Sequence, residues 1–541
     1  MASKPHLILL TASQLRCDVL GCFGGVGLPG RTAMGESFPL LGETPASNEA
    51  SGFHLLTRAP GDLDNGLVDT GSMGPPDDES AQDLPSVTPQ LDKLAANANV
   101  FERHYTNCPL TIPSRVSMLS GLHTHQHRAL ISGWLAGERD AGVMRPTVKL
   151  LPRRLAEAGY RVVHAGAQQV RAPEGVDVWE GVDIIGPTAP VSFYRELSRR
   201  GLYLGDPSAF QEPVVDVQAG RNVVYHATGT RIAPFPLREE YHYDHVVAQR
   251  VCDMISKLDP EKPTALIVNL WLPHPPLWVP KNWASIIHHS DVKLPANVGK
   301  WYVGQPVSQL QNLTGQLGAH VSMDRWQRIW SSYLGLTGML DACLGKVIAA
   351  ITQRGMMESS LLVFTSDHGE MLGSHALFGK NCMYEESTRV PLILKMPGQS
   401  RGRRIGELTD HIDLHATLLD ALGLDPETDS RGTGFLSLAT GGGVNGSGKT
   451  HVFAAYDGNG GRGFAQRMAR SRTHKLIHNI GDRPELYDLI DDMGETSNLA
   501  GRDEMRDVEI ALAEQLNAWM DSVGDDQPRC PVPVTPQRAA L

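Results

Sequence analysis

Three stretches of the chain share one pattern. An amphipathic segment comes first, with apolar positions three and four apart, then a break, then a short continuous apolar run. They read "LLPRRLAEAGYRVVHAG", "YDHVVAQRVCDMISKLDPEKPTALIVNLWLPHPP" and "LDACLGKVIAAITQRGMMESSLLVFTSDHGE". The leading half of each has helical period, and the trailing half is the run carried by a strand covered on both faces. "HLILLTA", His6 to Ala12, is another such run. Helix alternating with buried strand predicts an α/β domain on a large mixed, mainly parallel sheet flanked by helices. Ligands of such sheets gather beyond the carboxyl ends of the strands. Thr11 to Gln14, His274 and Asp367–His368 all fall there, so the pattern predicts one shared site.

Elsewhere the pattern changes. "TPQLDKLAANANVFERHY" reads as a helix with Thr88 as N-cap and Pro89 at the first helical position. Between Gly24 and Pro85 the composition shifts to Gly, Pro, Ser and Asp with little periodicity, which predicts a loop insertion over about 25–85. "DLHATLLDALGLDPE" reads as the last helix of the α/β domain. Beyond a Gly-rich stretch, "THVFAAYD", "HKLIHNI" and "PELYDL" alternate like short strands, and "DVEIALAEQLNAWMDSV" closes as a helix. The expected division is a domain over 1–428 and a smaller C-terminal antiparallel-sheet domain over 429–541. No internal repeat is visible.

Composition narrows the classes. With 541 residues the chain can bury a large core, and 41% hydrophobic with 20% charged residues is ordinary for a soluble globular protein. A net charge of -11 argues against nucleic acid as the main partner. Seven cysteines, an odd number without paired spacing, read as a reducing compartment rather than a disulfide framework. The start, "MASKPHLILLTASQLR", shows no long apolar h-region, and a cytoplasmic location is the expectation. "GVNGSGKT", Gly443 to Thr450, satisfies the P-loop pattern, but a strand-like segment follows where the phosphate cradle needs a helix. The expectation is a linker in which Lys449 is solvated.

Further motifs occur in a fixed order. They are "KPHLILLTASQLRCDVLGCFG", "TPQLDKLAANANVFERHYTN", "PSRVSMLSG", "WLPHPP", "TSDHGEMLGSHALFGKNCMYEESTRVPLILKMPG", "DHIDLHATLLDALG" and "ELYDLIDDMGETSNLA". In this order and over nearly the whole length, the chain resembles the sulfatase family of the alkaline phosphatase superfamily. The resemblance implies the alkaline-phosphatase/sulfatase-like α/β fold, one divalent metal ion and cleavage of a small anionic ester. Fold alone does not settle the reaction.

In sulfatases a Cys or Ser before x-P-S-R is oxidised to formylglycine. Here Cys108 is out of register and Thr111, in "TIPSR", is in register. Threonine cannot give the aldehyde, but it is the nucleophile in related branches, where a metal-bound hydroxyl attacks phosphorus. Capping the next helix is the other reading of Thr111. Cys108 reads as a packed residue. By resemblance Arg115, one helical turn on, and Lys380 bind the anion. The resemblance implies that Asp367, His368 and Gln14 hold the metal together with Thr111. His274 binds the anion or protonates the leaving group, or is simply a turn residue between prolines. His375 is a lesser candidate, and His123, His125 and His127 read as a solvated loop.

The pattern breaks in two places. The leading aspartate of the first metal-binding segment is Ser13 in "ASQLR", a poor ligand for a hard cation, which favours Mn or Zn over Ca. A Lys-x-His pair that contacts sulfate in sulfatases is Ala167 and Gln169, which leaves a less positive pocket. Phosphonate monoester hydrolases share that second break and keep a glutamine at the Gln14 position. The expectation is a metal-dependent hydrolase of phosphodiesters or phosphonate monoesters. A phospho- or sulfo-group transferase, a catalytically silent homologue and a sulfuric ester hydrolase remain as alternatives. The expected partners are a small anionic ester as substrate, no nucleic acid and no membrane, with room for a homo-oligomer.

Overall fold

"HLILLTAS" forms the strand β1 (His6–Ser13), and every residue of it is buried. In a computed structural model that describes residues 4–26, 86–132, 142–205, 207–218, 221–442, 448–458 and 464–533, this strand lies inside an eight-stranded sheet. Apart from Gly25 and Val26, the expected insertion at 25–85 lies outside the described residues. The other strands are β2 (Asn99–Tyr105), β3 (Arg161–Gly166), β4 (Val182–Ile185), β5 (Thr264–Pro273), β6 (Ser360–Ser366), β7 (Arg389–Lys395) and β8 (Arg403–Asp410). Their spatial order is β8-β2-β7-β6-β1-β5-β3-β4. Only β7 runs against its neighbours, so the sheet is mixed and mainly parallel, as the alternation predicted.

The two-residue period of the strands sorts their side chains into two cores. Ile8 and Leu10 of β1, Leu266 and Val268 of β5, and Leu362 and Phe364 of β6 face one side. Leu7, Leu9, Ala265, Ile267, Leu361 and Val363 face the other. Six of the helices that flank or precede the sheet are α1 (Pro89–Ala95), α2 (Thr111–Ser120), α3 (Leu151–Glu157), α4 (Tyr243–Ile255), α5 (Met323–Gln353) and α6 (His411–Ala421). α4 and α5 cover the first side through Val247, Val251, Leu334 and Leu340. α2, α3 and α6 cover the second through Val116, Leu119, Leu155 and Leu418. Each fully buried aliphatic side chain contributes about 1.5–3 kcal/mol of transfer free energy. By length and composition α5 is apolar enough to cross a bilayer, but its Trp326, Trp330, Tyr333 and Leu344 are buried in this core.

The helix expected from Thr88 to Tyr105 is shorter than predicted. It ends at Ala95, and "NVFERHY" is strand β2. Val100, Phe101 and Tyr105 suit a pleated surface between β7 and β8 better than a helix. Thr88 is at the N-cap, but its hydroxyl makes no capping bond there. The Asp341 carboxylate of α5 accepts from Gln90 N (2.9 Å) and Leu91 N (2.8 Å) instead.

The strands β9 (Val452–Asp457), β10 (Ala465–Arg470), β11 (His474–Asn479) and β12 (Glu485–Asp488) pair antiparallel in sequence order. One face of this C-terminal sheet is covered by α7 (Arg506–Val523) through Leu512, Leu516 and Met520. Its other face packs on Tyr105, Cys108 and Leu110, the segment that leads into α2. Ala455 N donates to Asn107 O at 3.0 Å, which ties this sheet to the start of the site. The described elements change from one sheet to the other between Ala421 and Val452.

Two expectations about polar residues are corrected. His123, His125 and His127 are buried rather than solvated. They face different partners: Trp519 Nε1 donates to His123 (3.3 Å), Arg467 and Asp525 meet His125, and Ser117 meets His127 (3.0 Å). Lys449 is not a free loop residue. Its ammonium donates to Asp410 (2.7 Å) and Asp413 (2.9 Å), the N-cap and first-turn carboxylates of α6. The strand predicted after it is β9, so the P-loop pattern has no helix to complete it.

Candidate active site

β1, β5 and β6 lie side by side, and their carboxyl ends carry Ser13–Gln14, His274 and Asp367–His368. Parallel pairing of β1 with β6 sets Ala12 beside Ser366, so the next residues of both strands emerge together. Gln14 has φ 61°, a left-handed conformation uncommon for a side chain with a Cβ. Two bonds hold it: Gln14 N donates to Asp367 Oδ1 (3.0 Å), and Tyr333 Oη donates to Gln14 O (2.8 Å).

Asp367 is the hub. Its Oδ1 also accepts from His368 N (2.9 Å), and its Oδ2 accepts from Ser13 Oγ (3.1 Å) and Arg115 Nε (3.2 Å). Burial alone would raise this carboxyl, but His368, Arg115, the Gln14 N–H and Lys380 outweigh it and hold it well below the carboxylate range.

Thr111 is the first residue of α2, and Leu110 occupies the N-cap, so Thr111 is not the cap. Its Oγ1 lies 3.0 Å from His368 Nε2, and His368 Nδ1 lies 3.0 Å from Gly369 O. A carbonyl only accepts, so Nδ1 carries the hydrogen and Nε2 accepts from the threonine hydroxyl. Burial pushes the imidazole down to about 4, which keeps it neutral near pH 7. Cys108 is buried, and burial pushes its thiol well above the usual range.

One turn into α2, the buried guanidinium of Arg115 uses Nε on Asp367 and donates Nη1 to Ala167 O at 2.7 Å. Its Nη2 is buried and has no partner among the described residues, an orphaned donor four residues along α2 from Thr111. Lys380 Nζ donates to Gln14 Oε1 at 2.5 Å and lies 3.1 Å from His274 Nε2. Burial lowers this ammonium to about 8 against the pull of Asp367 and Glu370. Burial and then Lys380 push His274 well below its usual value, so it accepts from Lys380 as a neutral ring. His274 therefore positions the lysine, and its Nε2 is already engaged.

The structure brings Gln14, Thr111, Arg115, His274, Asp367, His368 and Lys380 into one bonded group. It leaves His375 out: that ring stacks on Tyr384 at 4.0 Å and meets Gly494 O. Three further residues belong to the group. Ser114 Oγ donates to Asp367 O at 2.5 Å, His411 Nε2 lies 3.3 Å from the same oxygen, and Glu370 accepts from Gln14 Nε2, Leu372 N and Gly379 N. Ser114 and Glu370 stand inside the quoted "PSR" and "SDHGE" segments, so the sequence carried a signal for both.

Only the spacing of this donor set suits a divalent ion. His368 Nε2 lies 3.0 Å from Thr111 Oγ1 and 3.6 Å from Asp367 Oδ1, spacings that two ligands of one cation have. The charges and lone pairs do not follow suit. Asp367 is the one carboxylate among Ser13, Gln14, Thr111, Asp367 and His368, and it already accepts four donors, one of them Arg115. The Gln14 amide oxygen holds the Lys380 ammonium. Among the described residues no three His, Cys, Asp or Glu side chains converge as a metal centre. A hard cation needs several oxygen donors free to turn to it, so these residues do not fit the divalent ion that the resemblance implies.

A hydroxyl facing an imidazole, with a spare guanidinium donor one helical turn on, suits the cleavage of oxyanion esters. The fold and this set of side chains suit an ester hydrolase of the alkaline phosphatase superfamily. A sequence model of the sulfatase family matches residues 69–424, more than half of the chain, and the protein belongs to that family as a sulfatase-like ester hydrolase. A second description, "N-sulphoglucosamine sulphohydrolase, C-terminal", matches residues 373–522. The chain is 25% identical over 473 residues to a multifunctional alkaline phosphatase superfamily protein, PehA, of Trinickia caryophylli, covering 81% of this chain and 90% of that one. It is 22% identical over 458 residues to arylsulfatase K of Rattus norvegicus, covering 80% of this chain and 73% of the other. Among solved structures, the phosphonate monoester hydrolase of Agrobacterium radiobacter superposes with a TM-score of 0.71 at 20% identity, covering 96% of both chains. That last likeness speaks for the fold.

Proposed function

We propose that the protein hydrolyses small, singly charged phosphorus esters, phosphodiesters or phosphonate monoesters, with Thr111 as the nucleophile. The observation that carries this reading is the buried Thr111 hydroxyl, 3.0 Å from His368, on the same helix as Arg115, whose Nη2 is unpartnered among the described residues. A buried guanidinium donor left unpaired costs about 1–3 kcal/mol, which an anionic oxygen would recover. Charge favours a monoanion. Arg115 is paired with Asp367, the Asp367 and Glu370 charges act on Lys380 through space, and the two further cations of sulfatases are Ala167 and Gln169 here. Threonine gives no formylglycine, which weighs against the usual sulfatase reaction.

Attack by Thr111 would give a threonyl phosphorus ester that water then cleaves. The test is turnover of four aryl esters: a phosphodiester, a phosphonate monoester, a phosphomonoester and a sulfate. Thr111→Ala and Cys108→Ala are run beside the wild type, each with and without added Mn, Zn or Ca. The expected result is cleavage of the phosphodiester or phosphonate, lost in Thr111→Ala by about a thousandfold or more and kept in Cys108→Ala. Cleavage of the sulfate alone, or full activity in Thr111→Ala, would refute it.

A further inference from the structure

We propose that this site works without a resident divalent ion: the Lys380 ammonium supplies the positive charge and the proton for the leaving group, and His368 takes the Thr111 proton. The inference rests on the reading of Thr111 as nucleophile. It starts from what the donors are already doing. Ser13 brings a hydroxyl where the family brings a carboxylate, and that hydroxyl donates to Asp367 instead of presenting a charge. Lys380 Nζ sits 2.5 Å from Gln14 Oε1 and 3.1 Å from His274 Nε2, held between two neutral acceptors. An ammonium there, with Arg115 already on Asp367, repels a second cation. The same two cations attract an anionic ester.

His368 is oriented for the work. Gly369 O fixes the hydrogen on Nδ1, and Nε2 faces the Thr111 hydroxyl. In the first step the Thr111 oxygen bonds to phosphorus and its proton passes to His368 Nε2. The phosphorus–oxygen bond to the leaving group breaks, and that oxygen takes a proton from Lys380. In the second step water attacks phosphorus and returns a proton to Lys380. The Thr111 oxygen departs and takes back the proton held by His368. One water is consumed, and one acid and one alcohol leave.

Two titrations test this apart from turnover. In the first, Mn, Zn or Ca is added to chelator-stripped protein in a calorimeter. Wild type is expected to show no binding that Asp367→Asn removes, and Ser13→Asp to gain about tenfold or more in affinity by adding a carboxylate. In the second, Thr111→Val protein, which cannot consume the ester, is titrated with phenyl methylphosphonate in the presence of chelator. Binding is expected, and Lys380→Gln should weaken it by about tenfold or more. One cation bound per wild-type chain and lost in Asp367→Asn, or ester binding that appears only with added cation, would overturn the proposal. Turnover that requires an added cation would sink this inference and leave Thr111 as nucleophile. Absence of turnover under every condition would remove the Thr111 reading, while both titrations still report on the ion.

Discussion

Arg467 and Arg115 are both fully buried arginines, and they end in opposite states. Every nitrogen of Arg467 is engaged: Nε on Asp525, Nη2 on Asp457 (2.6 Å) and Asp525 (3.0 Å), and Nη1 on Tyr456 O and Gln466 O. Two carboxylates face that one cation. Arg115 shares a single carboxylate, Asp367, with Ser13, Gln14 and His368, and keeps Nη2 unpaired. The lysines repeat the contrast. Lys449 is held by Asp410 and Asp413, whereas among the described residues the hydrogen bonds of Lys380 go to neutral Gln14 and His274. A cluster with its anions in place joins parts of the fold. One that is short of an anion is prepared to receive it.

The largest effect expected is on the closed cluster. Arg467→Met leaves Asp525 and Asp457 buried without their cation, which should cost about 3–5 kcal/mol of stability in urea unfolding. Turnover per folded molecule should stay near that of wild type. The open cluster should behave the other way round. Arg115→Met is expected to lower kcat/KM about a hundred- to a thousandfold through loss of an anion donor. Its unfolding midpoint should move less than that of Arg467→Met, because Asp367 keeps three other donors. If Arg115→Met proved the more destabilising and left kcat/KM alone, the two arginines would not differ in kind.

Much of the open cluster was legible in the sequence because each member sits at the end of an apolar run or inside a local motif. Gln14, His274, Asp367 and His368 follow strands, and Thr111 and Arg115 lie one turn apart in α2. The closed clusters were not legible, because their partners meet only in the fold. His125 meets Asp457 and Asp525, and Lys449 reaches back to Asp410. Strand β2 was hidden for a different reason: its polar Glu102, Arg103 and His104 break the apolar run after a good helical start. Which atoms of Asp367 and Gln14 were already bonded could not be read from residue types, and that bears directly on the ion.

A smaller effect should separate the lysines. Lys449→Met leaves Asp410 and Asp413 side by side at the start of α6. Burial and then Asp410 already push Asp413 up to about 7, with Lys449 opposing them. Removing the ammonium is expected to cost about 1–3 kcal/mol in thermal or urea unfolding, with little change in turnover. A fall in turnover at unchanged stability would place Lys449 with the open cluster instead.

The mildest prediction concerns an anion with no cation at all. Asp244 is buried and accepts from Trp271 N (2.5 Å) and Leu272 N (3.4 Å), at the strand end that carries His274. Its Oδ2 has no hydrogen-bond partner among the described residues, and the nearby His242 ring is pushed down to about 3 by burial, so it brings no charge. Burial, against the pull of the backbone donors, raises the Asp244 carboxyl to about 7. The folded chain therefore holds a proton there that the unfolded chain releases above about 4. Stability must then fall as pH rises between about 4 and 7, by at most about 1.4 kcal/mol per pH unit from this group, and stay level above it. Asp244→Asn keeps an acceptor for both N–H groups and cannot ionise, so its stability relative to wild type should rise from pH 5 to pH 8. Urea unfolding of both proteins at the two pH values measures the difference. A constant difference would mean that Asp244 ionises in the fold as easily as in water, and that a buried carboxylate here needs no cation, which would undo the contrast drawn between Arg467 and Arg115.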